Sequence, residues 1–415
     1  MSKRGFVLCG ATLIDGTGKG PAKDFCIEVL EGRIAGIFPS EDLPKGRKEI
    51  DLGGAFLLPG LIDAHVHLNW DGGNDPLSTM LREGPMQALL RAYANSMRAL
   101  RSGITSLRDL GSVDDVVVEL SKAISEGKLF GPTIVASGRM LNITGGHVPA
   151  ISYIADGIDQ VIRAVRHMKT IGAQVIKCAA TGGAYGPEEI GPPTYTLEEL
   201  KAITNEAHRL GLPVAAHALS AAGIDNCVKA EVDTIEHGAS LSDYAIDGML
   251  KKGIIWVPTL YVYRRLAEGE GGISDWIIEK SKTVVKWQTE SFRKALKAGI
   301  KMAAGTDSWS PTVGQDPILV KELAERVKAG ISPMEAIMSA TKIAAEALRI
   351  DGEVGTIEVG KRADLLAING DPTVDITNLS KVRLIVKGGK ILYDSEGADL
   401  ISPWIGQKDG KDTAR

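Results

Sequence analysis

Between residues 59 and 329, short apolar segments alternate with longer segments of helical periodicity, and nothing else in the chain limits the fold as much. The segments LIDAHVH, ITSLRDL, PTIVASG, QVIKCAA, PVAAHA, DTIEHG, IIWVPTL and KMAAGTDS read as strands, and their near-continuous hydrophobicity suits burial on both faces. Amphipathic stretches follow them, among them PMQALLRAYANSMRAL and TLEELKAITNEAHRLG. The latter opens on a Thr196-x-x-Glu199 capping box and closes on Gly211. Long helical patterns also cover 275–298 and 316–329. Eight β-then-α units predict an α/β fold of the (β/α)8 TIM-barrel type over residues 59–354, with the helical stretch 332–348 after the eighth unit. A doubly wound open sheet would have fewer units and a glycine phosphate loop, which is not found.

The two ends of the chain differ from this middle. Residues 1–55, together with 363–370 and 382–394, are short strand patterns punctuated by Gly and Asp-Gly or Glu-Gly pairs. They predict one small β-sandwich domain built from both termini, residues 1–58 and 355–415, with a polar, loose tail at 405–415. With 44% hydrophobic and 24% charged residues the chain can bury a large core, and a net charge of −4 argues against a nucleic-acid surface. No apolar run is long enough to span a bilayer, and the N-terminus lacks the pattern of a signal peptide. Cys9, Cys26, Cys178 and Cys227 are scattered, which reads as isolated thiols of a cytoplasmic protein rather than a disulfide framework.

In a barrel of this kind the chemistry lies at the C-terminal ends of the strands. There the chain carries His65 and His67 in LLPGLIDAHVHL (57–68), Lys177 on the fourth strand, His217 on the fifth, His237 on the sixth and Asp307 after the eighth. His65 and His67, two apart in a strand, project to one side. His147, in ITGGH after the third strand, faces the same mouth, whereas His167 and His208 fall inside helices and read as surface or packing residues. Several neutral imidazoles with a carboxylate on one rim point to a metal site. A plain reading of Lys177 is a buried salt-bridge partner. Desolvated beside two cations, it could instead lose its proton and add carbon dioxide. The resulting carbamate would bridge a metal held by His65, His67 and Asp307 to one held by His217 and His237.

Together HVH, Lys177, His217, His237 and Asp307 resemble the amidohydrolase superfamily, in its binuclear subgroup with a carboxylated lysine. The resemblance extends from PGLIDAHVHL to VGTIEVGKRADLLAINGDP (354–372). TSLRDLG (105–111), ITGGH (143–147), VIKCAATGG (175–183) and VPTLYVY (257–263) resemble its Xaa-Pro dipeptidase and imidazolonepropionase-like branch. IKCAATGGAYGP departs from the usual run after the lysine, at a place that bears on side-chain preference. The resemblance implies two divalent metal ions, zinc by default for a nitrogen-rich set, with N6-carboxylysine at position 177. It implies hydrolysis of dipeptides or N-acyl amino acids by a metal-bridging hydroxide, releasing the C-terminal amino acid. A lactonase or cyclic-amide hydrolase would use the same ligands, and a metal-free scaffold would be expected to lose them. Asp307 would shuttle the proton and His147 would steady the oxyanion. Tyr263, Tyr261 and Arg108 are the candidate substrate contacts, with Tyr261 as readily a packing residue and Arg108 as readily a loop anchor paired with Asp109. Trp309 would line or cover the pocket. The partners implied are a small-molecule or dipeptide substrate and further copies of the chain in a homo-oligomer, with no nucleic acid or membrane.

Overall fold

The apolar segments form parallel strands at Leu61–Val66, Ile104–Asp109, Thr133–Ala136, Ile176–Ala179, Val214–Ala218, Thr234–His237 and Ile255–Val257. The computed structural model describes residues 5–43, 46–269, 272–311 and 313–404, so the tail expected to be loose at 405–415 lies outside the described residues. Neighbouring strands pair in register, for example Asp63 with Leu107, Ala215 with Thr234 and Ile235 with Trp256. Between the third and fourth strands the Gln174 amide donates to the Ala136 carbonyl at 2.9 Å.

The eighth segment, KMAAGTDS, is not a regular strand. It still closes the ring, because Ala303 N–H donates to Trp256 O at 2.9 Å on one side and Ala64 N–H donates to Ala304 O at 2.8 Å on the other. Regular pairing stops where Asp307 and Trp309 take left-handed backbone angles, with φ of 58° and 48°.

Helices cover the outside. Leu197–Arg209 starts on the expected capping box, and Asp275–Ala298 is the long helix expected there. The stretch expected at 316–329 narrows to Leu319–Lys328, and 332–348 splits into Pro333–Ser339 and Lys342–Leu348.

Both termini do share a sheet. Gly5–Leu13, Ala22–Leu30, Arg33–Pro39, Lys48–Asp51 and Phe56–Pro59 join Leu365–Ile368, Val382–Lys387 and Lys390–Asp394 in one hydrogen-bonded sheet of eight strands. The seam between the two ends sets Leu366 opposite Leu58. The sheet is continuous because Gly5–Leu13 bulges, pairing first with Lys48–Asp51 and then with Phe56–Pro59. Leu8, Ile27 and Leu57 pack with Leu365 and Leu384 beneath it, so each end needs the other to bury its apolar face.

The cysteine expectation is corrected here. Cys9 and Cys26 sit on adjacent antiparallel strands with Cα atoms 4.5 Å apart and form a disulfide, while Cys178 and Cys227 are free and buried. The hairpin between Cys9 and Cys26 folds a wide sequence gap into a cross-strand pair. Among the described residues no helix is long and apolar enough to cross a membrane.

Candidate metal centre

The site begins with the buried carboxylate of Asp63. It accepts from Thr306 N–H at 3.0 Å and from the Thr306 hydroxyl at 2.7 Å, which draws the closing turn against the first strand. Asp307 N–H then donates to His65 O at 2.7 Å. This leaves Asp307 Oδ1 3.5 Å from His65 Nε2 and 3.3 Å from His67 Nε2. These three residues form a cluster able to hold a cation. Their outer nitrogens are already engaged: His65 Nδ1 lies 2.8 Å from Glu236 Oε2, and His67 Nδ1 lies 2.9 Å from Gly111 O. A carboxylate and a carbonyl can only accept, so each Nδ1 carries the proton and each Nε2 presents a lone pair inward.

His217 and His237 face this cluster from neighbouring strands, their ring centroids 4.6 Å apart, with His237 5.0 Å from His65. His237 Nδ1 is 2.7 Å from Thr259 Oγ1, and His217 Nε2 is 3.2 Å from Gly182 O. Glu236 and His237 are consecutive, and in a regular strand they would project to opposite sides. Both reach His65 because His237 has a φ of 64°, which turns its side chain back into the barrel mouth. The Trp256 indole N–H holds that kink by donating to His237 O at 3.0 Å.

Lys177 is buried beside these groups, and among the described residues neither its Nζ nor His65 Nε2 has a hydrogen-bond partner. Burial pulls the Lys177 ammonium down to about 8 against the opposing pull of Glu236 and Asp307. Burial also holds His65, His217 and His237 well below the usual histidine range, so their rings are neutral at pH 7. For Asp307, burial works upward, but the His67 hydrogen bond and the nearby His65, His67 and Lys177 outweigh it and keep the carboxyl ionised. Neutral imidazoles, an ionised carboxylate and orphaned buried nitrogens form a donor set that fits divalent cations.

Residues 56–392 match the amidohydrolase family. The chain belongs to the amidohydrolase family. It is 30% identical to the ochratoxinase of Aspergillus niger over 96% of this chain and 88% of that one. It is 26% identical to the imidazolonepropionase of Ralstonia nicotianae, covering 90% and 94%. A crystal structure of a Xaa-Pro dipeptidase with methionine bound in its active site superposes with a TM-score of 0.86 at 31% identity, covering 94% of this chain and all (100%) of that one. The likeness places this amidohydrolase in the expected Xaa-Pro dipeptidase and imidazolonepropionase-like branch, among enzymes of amide bonds. Its family generally uses divalent metals.

Around the centre the amidohydrolase keeps some expectations and corrects others. His147 stacks on His217 at 4.5 Å, and its Nδ1 lies 2.5 Å from Glu188 Oε1. Gly183 allows this approach, since a Cβ there would fall 2.0 Å from the His147 ring. Tyr263 lines the cavity, its ring 5.4 Å from His237. Tyr261 does not line it. VPTLYVY runs into a helix, Leu260–Glu268, rather than ending a strand, so residues two apart diverge around the helix and Tyr261 lies beneath Lys321.

Arg108 is no substrate contact and does not anchor on Asp109. It is buried under the centre and donates to Glu236 at 2.8 Å, to Thr234 at 3.0 Å and to Ala64 O at 2.6 Å. Asp109 instead accepts from Leu68 N–H at 2.7 Å. Trp309 is buried, donates its indole N–H to Gln315 O at 2.9 Å and lies outside the cavity lining. His167 and His208 are on helices, far from the mouth in sequence role, each beside an aspartate. Sequence reasoning missed Glu236, Glu188 and Asp63. Glu236 had no signal, since alternation from an inward His237 sends the preceding residue away from the site, and only the left-handed backbone at His237 brings both to His65.

Proposed function

We propose that this amidohydrolase uses two divalent metal ions, most simply zinc, to cleave the amide bond of dipeptides or N-acyl amino acids and release the C-terminal amino acid. The observation that carries the reading is the buried Lys177, whose Nζ has no hydrogen-bond partner among the described residues and which lines one cavity with His65, His67, Asp307, His217 and His237. A buried ammonium without a counter-ion is costly, whereas a neutral amine that takes up carbon dioxide becomes an anion the two histidine pairs could share through metal. His65, His67 and Asp307 would hold one ion, His217 and His237 the other, and carboxylated Lys177 both. Bound metals would polarise the amide carbonyl and lower the pKa of a water.

The chain's own groups do the rest. Asp307 accepts the water's proton on its carboxylate and returns it to the leaving nitrogen. Glu188 fixes the His147 ring through Nδ1, 2.5 Å from its Oε1, and His147 steadies the carbonyl oxygen as charge grows there. Trp70, Met140, Val148, Ile151 and Leu266 line the cavity beside the metals and suit an apolar side chain. The Tyr263 hydroxyl is the contact offered to the terminal carboxylate.

The same reading divides the chain into a barrel, 59–354, and a β-sandwich domain, 1–58 with 355–415. It treats the enzyme as a cytoplasmic homo-oligomer; the exposed Leu81, Met86 and Leu90 support assembly, while the Cys9–Cys26 bond removes the isolated-thiol argument for a reducing compartment.

The test is purification with bicarbonate and zinc, metal counting per chain, and a screen of dipeptides and N-acyl amino acids for released amino acid. Two metals per chain and activity lost in Lys177→Ala, partly restored by short carboxylates that replace the carbamate, are expected. Two metals without amino acid release would move the substrate to lactones or cyclic amides. A protein that takes up no metal would end the catalytic reading.

A further inference from the structure

The GKRADL segment, residues 360–365, plays no part in the metal chemistry, yet it builds a charged cluster at the other end of the barrel. Buried Asp364 accepts from Gly388 N–H at 2.7 Å, from Arg362 Nε at 2.9 Å and from Lys387 Nζ at 2.6 Å. Arg362 Nη2 and Lys387 Nζ also donate to Thr133 Oγ1, at 3.0 and 2.8 Å. Thr133 opens the third barrel strand, so the cluster lies at the strand starts, opposite the metal centre.

Two cations here share one carboxylate, which leaves a net positive charge. The Thr133 oxygen already accepts two hydrogen bonds, so its own proton must be given elsewhere. That proton, Arg362 Nη1 and the third Nζ hydrogen have no acceptor among the described residues. All three groups border one cleft of about 330 Å³, whose walls also include Ser121, Ser125 and Gln174 but no carboxylate. Burial draws the Lys387 ammonium down to about 8 despite Asp364 beside it, as expected for a cation short of negative charge.

We propose that Arg362, Lys387 and Thr133 form a binding site for a small oxyanion, a phosphate or a carboxylate group, at the base of the barrel. One such anion accepts all three free donors in charge-assisted hydrogen bonds and cancels the surplus charge. The site ties the start of the third barrel strand to the terminal sheet, since Thr133 belongs to the first and Lys387 to the second. It is independent of the hydrolytic reading above.

The test is equilibrium dialysis of inorganic phosphate against the metal-loaded full chain at constant ionic strength, comparing wild type with Arg362→Gln and Ser125→Glu. The glutamate variant brings a carboxylate to the cleft wall, where it occupies the donors without disturbing Asp364. One saturable phosphate per chain, weakened at least tenfold in both variants while Ser125→Glu keeps wild-type hydrolysis, is expected. Displacement by acetate at similar concentrations assigns the site to carboxylates, and resistance to acetate assigns it to phosphates. Phosphate binding that persists unchanged in both variants belongs to the metals and overturns the proposal, as does an absence of saturable binding. If Arg362→Gln does not fold, Ser125→Glu decides alone.

Discussion

Glu236→Gln tests the buried network beneath the candidate metal centre. In the wild type, one carboxylate balances Arg108 through Oε1 at 2.8 Å and orients His65 through Oε2 at 2.8 Å. The substitution keeps the shape and removes the charge. Arg108 is then left buried with only neutral acceptors: the Ala64 carbonyl, the Thr234 hydroxyl and at most one amide oxygen. Stripping the partner from a buried ion pair costs about 3–5 kcal/mol, a large share of the roughly 5–15 kcal/mol that keeps a protein folded. A second effect falls on His65, which loses its charged acceptor; weakening such an orienting bond costs about 10–100-fold in metal affinity.

Two assays separate the effects: urea unfolding of the metal-free protein and metal competition with a chelator. The double variant Arg108→Met with Glu236→Gln removes both charges. It should recover most of the stability of the metal-free protein while leaving metal affinity impaired. A single variant within about 0.5 kcal/mol of wild type, the range of a neutral surface change, with unchanged metal affinity would refute the network. So would a double variant no more stable than the single.

Other outcomes follow from the same geometry. Glu188→Gln removes the charge that holds the His147 ring in place, so kcat should fall by about 10²–10³, the usual effect of losing one oxyanion donor, with metal content intact; loss of metal instead would make Glu188 structural. Tyr263→Phe should raise KM for dipeptides whereas Tyr261→Phe leaves kinetics unchanged, and equal effects would argue against Tyr263 as the contact. Lys387 should impose a pH dependence on stability. Its folded pKa, about 8, lies below the ordinary 10.5, so between these values the unfolded chain holds more protons and stability rises with pH. Lys387→Met should flatten that component in urea unfolding from pH 8 to 10.5, and an unaltered slope would contradict the assignment.

The barrel was legible in the sequence because strands buried on both faces must be continuously apolar and their covering helices must be amphipathic. The histidines of the candidate site were legible for a related reason. His65, His67, His217 and His237 are polar residues at the ends of apolar strands, where only function or a satisfied partner tolerates them. Neighbours in sequence and period therefore carried most of the site.

What the sequence left open depends on long-range contact or on backbone angles. The Cys9–Cys26 bond follows from a cross-strand pairing, which scattered spacing conceals. Tyr261 and Tyr263 part because the chain turns helical straight after Ile255–Val257, a boundary that an apolar run such as VPTLYVY does not mark. Arg108 finds Glu236, 128 residues on, rather than adjacent Asp109, because the barrel interior brings distant strands together while neighbours on one strand point apart. His237 and Asp307 reach the barrel mouth through left-handed backbone angles, φ 64° and 58°, that no residue type there requests. Local propensity disfavours those angles, and only the packed barrel around them can hold them in place.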